Sequence, residues 1–168
     1  MEDNKRIDKI NYYLDIAETV ASRATCLRKK YGTVIVKDDE IISTGYCGAP
    51  RGRKNCCDLG YCTKKQLLPN QRHGGYDACR SVHAEQNAII NASREQMIGA
   101  TMYLCGLDAK TGEFVANSTS CQLCKRMIIN AGIVEAVYHK RYSIDDVSTA
   151  LLKEAGVIVR PLDEEEEK

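Results

Sequence analysis

The 168-residue chain is long enough to bury a hydrophobic core but too short for several linked modules. Its 43% apolar and 28% charged residues match a soluble globular protein and exclude a disordered or fibrous one. With 24 Lys and Arg against 23 Asp and Glu, the formal charge of +1 gives no broad field for duplex nucleic acid or an anionic membrane, which points to a small ligand. From Ile7 to Leu27 apolar residues recur at helical spacing (Ile7, Ile10, Leu14, Ala17, Val20, Ala24), with Asp3 or Asn4 as the cap. Gly32 to Val36 and Ile41 to Gly45 are β-rich runs joined by Lys37-Asp38-Asp39-Glu40, a hairpin.

Residues 46–81 hold glycines, two prolines and five cysteines, too long for an idle connection within a compact domain. Val82 to Arg94 is expected as a helix, Thr101 to Cys105 as a strand, and Gly106 to Thr119 as a hairpin extension through Ala109-Lys110-Thr111-Gly112. A helix over Ser120 to Ala131 and a strand over Val134 to Tyr138 follow, the latter leading to a surface histidine, His139. Ser143 caps a helix reaching Ala155, and Gly156 ends it before a strand at Val157 to Val159. An initial hairpin followed by alternating strands and helices predicts an α/β fold, a mixed sheet with helices on both faces. The stretch 163–168 is an acidic tail.

No apolar run approaches the roughly 18 to 20 residues of a membrane span. The charged start, Met1 to Lys9, lacks the apolar core of a secretory signal, so a cytoplasmic location is expected. In that reducing setting nine cysteines, an odd number, favour metal binding or thiol chemistry over disulfides.

Two motifs carry chemistry: His83-Ala84-Glu85 at one predicted helix start and Cys121-Gln122-Leu123-Cys124 at another. A Cys-x-x-Cys in a first helical turn aims both sulfurs and the positive helix end at one point, favouring thiolates that grip zinc. One imidazole makes three protein ligands, which leaves a fourth position for water of lowered proton affinity. Glu85, two residues past His83, need not ligate and is suited to moving protons. A purely structural zinc site, or a packed cluster without metal, is the alternative.

In these motifs, and in the blocks Gly32 to Val36, Ser43 to Pro50, His83 to Ile89 and Cys121 to Gly132, the chain resembles the zinc-dependent cytidine deaminase superfamily, most closely its deoxycytidylate (dCMP) deaminases. The resemblance implies a three-layer αβα fold as a single deaminase domain over 1–168, a catalytic Zn2+ on His83, Cys121 and Cys124, and Glu85 as the proton shuttle. It further implies hydrolytic deamination of dCMP to dUMP and ammonia, supplying thymidylate synthesis. Several members bind a second, structural zinc near the long loop. By position this corresponds to Cys26, Cys56, His73 and Cys79, with Cys57 or Cys62 able to replace one of them. Members commonly form hexamers controlled by dCTP and dTTP, which implies a homo-oligomer and an allosteric role for Arg94.

Two positions depart from the family pattern. Ser120 replaces the proline before Cys-x-x-Cys and is expected to cap the helix. Cys47 stands where Gly-Tyr-Asn-Gly is usual, and a thiol cannot reproduce an amide's donors and acceptor. Cys47 and Ala49 are the expected nucleotide contacts in this block, Arg51 and Arg53 the expected phosphate partners, and Tyr138 resembles a family position near that phosphate. A different cytosine nucleotide, nucleoside or nucleic-acid base as substrate, and a non-catalytic zinc-stabilised nucleotide-sensing module, are the competing functions.

Overall fold

Asp8 starts the first helix: its Oδ1 accepts the Asn11 backbone N–H at 3.0 Å. The helix, α1, covers Lys9–Ser22 and is shorter at both ends than the apolar pattern predicts, because that pattern reports burial and continues through the buried but non-helical Ala24. The computed structural model describes residues 6–70, 75–115, 119–139 and 146–161. The predicted caps Asp3, Asn4 and Ser143, the ligand candidate His73 and the 163–168 tail lie outside the described residues.

Strands β1 (Lys29–Lys37) and β2 (Glu40–Tyr46) form the expected antiparallel hairpin. Its turn residues Asp38 and Asp39 have φ of 50° and 66°, a left-handed conformation that aspartate tolerates and that matches the twist of paired strands. The 46–81 segment holds short helices α2 (Cys56–Leu59) and α3 (Thr63–Leu67) and a 3₁₀ turn at Tyr76–Ala78. Helix α4 covers only Ala84–Ile90, and α5 (Arg94–Met97) is separate. Ser93 restarts the chain there by accepting the Gln96 N–H at 3.2 Å, a cap that the apolar pattern alone conceals.

The remaining elements are β3 (Thr101–Asp108), α6 (Gln122–Ala131), β4 (Glu135–Tyr138), α7 (Asp146–Glu154) and β5 (Ile158–Pro161). Past β3, the bridge from Leu107 to Phe114 gives the predicted hairpin extension. His139 differs from its expected surface role: it is 7% exposed and stacks on Phe114 with ring centroids 3.7 Å apart.

The sheet order is β2-β1-β3-β4-β5, antiparallel through β3 and parallel beyond it. Alternation along the central strands sets the layers. Val34, Val36, Tyr103 and Cys105 pack with Leu14, Ala17 and Ala21 of α1 on one face. Ile35 and Met102 pack with Ala88 of α4, Ile128 of α6 and Leu152 of α7 on the other. This is the three-layer αβα fold.

Two glycines seat a helix on each face. A Cβ on Gly32 would lie against the α1 backbone at Ala17 O and Ala21 N, and one on Gly45 would lie against the α4 backbone at Ala84 O and Ala88 N. Helix α4 is fixed further by the Ser43 hydroxyl, which donates to Ala88 O at 2.7 Å. Asn87 and Asn91 donate to Tyr46 O at 2.8 Å and Thr44 O at 3.0 Å, satisfying carbonyls on the edge strand. Those contacts set the position of the α4 N-terminus, and with it His83.

Candidate active site

His83 is the N-cap of α4 and Cys121 the N-cap of α6, so two chain entries on the same face of the sheet meet. His83 is oriented by its own N–H, which donates to Gln86 Oε1 at 2.9 Å. Its Nδ1 lies 3.5 Å from Cys121 Sγ and 3.4 Å from Cys124 Sγ. Cys121 Sγ accepts the Cys124 N–H at 3.5 Å and thereby caps the helix. Ser120 therefore does not cap it; its Oγ accepts instead from the Tyr138 hydroxyl at 3.3 Å. The substitution of proline by serine is accommodated because the next residue supplies the capping acceptor.

The electrostatics follow from this crowding. The Cys121 thiol is pulled down to about 4, first by the hydrogen bond from Cys124 and then by His83. Cys124, the donor of that bond, is pushed up, and burial adds to the effect. His83 is raised, chiefly by its hydrogen bond to Cys121. The crowding thus favours the thiolate at Cys121, the form that binds a cation. The three ligand atoms lie within 4.8 Å of one another, and one imidazole nitrogen with two sulfurs is a donor set that fits zinc with a coordination position to spare. Glu85 stands outside that set, 5% exposed, and burial raises the proton affinity of its carboxyl.

These groups face a cavity of about 290 Å³ lined by His83, Glu85, Cys121, Cys47 and Tyr76, among others. The Tyr76 ring meets His83 edge-on, with centroids 5.0 Å apart. Cys47 Sγ accepts the Tyr31 N–H at 3.3 Å and donates to Lys29 O at 3.5 Å. The thiol in the family's asparagine position is therefore engaged with the main chain where β1 begins.

Other predicted site residues are placed elsewhere. Ala49, Arg51 and Arg53 line a second cavity of about 300 Å³, which Asn87 and Asn91 also line. There the Ala49 N–H donates to Asn55 Oδ1 at 3.0 Å and Arg51 Nη2 donates to Asn91 Oδ1 at 2.6 Å. Tyr138 is buried and is not among the residues that line the His83 cavity. Arg94 is tied to Asn130 O at 2.9 Å, joining α5 to α6. Cys26, Cys62 and Cys79 line the same cavity as His83, and Cys56 is buried, which mainly raises its thiol; among the described residues the ligand atoms that lie within 4.8 Å of one another are those of His83, Cys121 and Cys124, a group that includes none of these four. Cys57 is exposed and lines a different cavity. Sequence reasoning missed Arg28, Lys29, Lys64 and Tyr76 in the His83 cavity. The Leu27-Arg28-Lys29-Lys30 run before a strand was the available signal for the first two, whereas the path of 46–81 decides the others.

The cytidine and deoxycytidylate deaminase zinc-binding region matches residues 7–140, which include His83, Cys121 and Cys124. The chain belongs to that family. A deoxycytidylate deaminase of Schizosaccharomyces pombe is 32% identical over 152 residues, covering 89% of this chain and 42% of the relative. The chain thus spans about two fifths of that fungal protein's length. The deoxycytidylate deaminase of Mycobacterium phage D29 is 35% identical over 139 residues, covering 80% of this chain and 97% of the phage protein. Among solved structures, the dCMP deaminase of cyanophage S-TIM5 in complex with dCMP and dUMP superposes with a TM-score of 0.65 at 24% identity. It covers 95% of this chain and 100% of the phage chain, a likeness of fold.

Proposed function

We propose that this family member hydrolyses dCMP to dUMP and ammonia, supplying dUMP for thymidylate synthesis. The observation that carries the proposal is the meeting of His83, Cys121 and Cys124 beside the buried carboxyl of Glu85 in one cavity. Deoxycytidylate deaminases among the relatives support the choice of substrate. Zinc held by His83, Cys121 and Cys124 would supply Lewis acidity and a water of lowered proton affinity.

Burial raises the proton affinity of the Glu85 carboxyl, which suits it to take up and return a proton where a cytosine ring would lie. Glu85 carries the two protons of the attacking water in turn: the first goes to the ring nitrogen beside the amino-bearing carbon and makes that carbon electrophilic, the second goes to the exocyclic nitrogen and makes ammonia the leaving group, while the water's oxygen stays on the ring. One water is consumed and one ammonia released, so the carboxyl returns to its starting state. Burial excludes bulk water that would otherwise exchange the proton. Cys47 forms cavity wall, and its main-chain bonds leave the sugar a surface without an amide.

A second, structural zinc on Cys26, Cys56, His73 and Cys79, with Cys57 or Cys62 able to replace one of them, rests on the family resemblance; Cys26 and Cys79 line one cavity. Cytoplasmic location, homo-oligomerisation up to a hexamer, and control by dCTP and dTTP through Arg94 rest on the family resemblance. No helix among the described residues is long and apolar enough to cross a membrane.

The test is ammonia release from dCMP, CMP, deoxycytidine, cytosine and dCTP, with zinc counted on the same preparation. Preference for dCMP with two zinc ions per chain is expected. Activity only on unphosphorylated compounds overturns the substrate, and a single zinc overturns the second site.

A further inference from the structure

Where the substrate's phosphate sits follows from the charges around the catalytic cavity, an inference that rests on the deaminase reading above. Arg51 and Arg53 line the second cavity, and Arg51 is engaged there with Asn91. The cavity that holds His83 and Glu85 has cations of its own: Arg28 and Lys29 from the approach to β1, and Lys64 from α3. Glu85 is the one carboxylate among the described residues that line it. Three cationic side chains thus share this lining with one carboxylate and the Cys121 sulfur, both of which the chemistry already uses, an arrangement suited to receiving an anion.

Lys64 stands out among the three. It is 7% exposed, although lysine stems ordinarily carry their ammonium into water. Its Nζ lies 5.5 Å from the centroid of the Tyr76 ring, which in turn meets His83 edge-on. The 46–81 segment therefore brings a buried lysine into the lining of the cavity that holds the ligand group, against an aromatic ring that meets His83.

We propose that Lys64, assisted by Arg28, recognises the substrate phosphate and sets the preference for a nucleotide over a nucleoside. In this arrangement the cytosine ring meets Glu85 beside the ligand group, and the phosphate meets Lys64 and Arg28 on the wall of the same cavity. Lys64 is a specificity-determining residue and takes no part in the proton transfers.

Calorimetric titration of the zinc-loaded protein with dUMP and with deoxyuridine reads the phosphate contact without turnover. Lys64→Met keeps the apolar stem and removes the charge. It is expected to weaken dUMP about 10- to 100-fold, the scale of a charged hydrogen bond, and to leave deoxyuridine within about twofold. Lys64→Arg should retain most of the dUMP affinity, and KM for dCMP should follow the same order. Arg28→Met, read in the same way, covers the case in which Lys64→Met fails to fold.

Equal losses for dUMP and deoxyuridine would reduce Lys64 to packing. Unchanged dUMP binding, with the loss appearing instead in Arg51→Met or Arg53→Met, would move the phosphate to the second cavity. Wild-type protein that releases no ammonia from any cytosine compound defeats the deaminase reading, whereas the dUMP-against-deoxyuridine difference still decides the anion site.

Discussion

The cysteines divide by surroundings rather than by spacing. Cys121 and Cys124 sit at a helix start against an imidazole, whereas Cys105 and Cys47 are buried thiols whose burial pushes them up to about 12. A thiol raised that far stays protonated at pH 8, and the thiolate is the reactive form. Alkylation of the folded protein at pH 8, followed by peptide mass spectrometry, should therefore label exposed Cys57 first and leave Cys105 and Cys47 unmodified until denaturant is added. Labelling of Cys105 as fast as Cys57 would contradict its place in the core. At this scale the catalytic motifs were legible because both depend on neighbours two or three residues away. Lys64 was not, because its burial beside Tyr76 depends on the path of a segment with little periodicity. Cys47 was legible as a departure from the family pattern, but its partners, Tyr31 N and Lys29 O, are a tertiary fact.

Helix α4 links the sheet to the chemistry, since its start carries His83 and Glu85 while its second half is bonded to β2. Gly45 and Gly32 permit the same close approach on opposite faces, but only Gly45 lies under the helix that bears site residues. A methyl group at either position must push helix backbone away, and such overpacking costs about 1–3 kcal/mol. Denaturant unfolding should show Gly45→Ala and Gly32→Ala destabilised by similar amounts. Ammonia release, measured on the folded fraction, should fall at least about tenfold more in Gly45→Ala, because a displacement near 1 Å at catalytic groups is worth that much or more. Equal activity in the two variants would separate the position of α4 from catalysis. The hairpin and the helix starts were readable from turn and cap chemistry. The break between α4 and α5 was hidden, since apolar residues continue through it while Ser93 begins a new helix.

For the whole molecule, alternation of apolar residues and the strand–helix order were enough to define the layers and the mixed sheet. They could not show that the starts of α4 and α6 meet, which depends on both helices packing on one face, with Ala88 and Ile128 in the same cluster. Nor could they divide the polar loops into two cavities, one with the ligand group and one with Arg51 and Arg53. The central claim is that the three-ligand group acts with Glu85 in hydrolysis and is more than a structural clamp. The most direct measurement is steady-state ammonia release from dCMP by wild-type protein and by Glu85→Gln, at equal zinc content. Glu85→Gln should keep its zinc and its fold and lose about 10²- to 10⁴-fold in turnover, the range of general acid–base catalysis. Turnover at the wild-type rate by the zinc-loaded variant would contradict that claim.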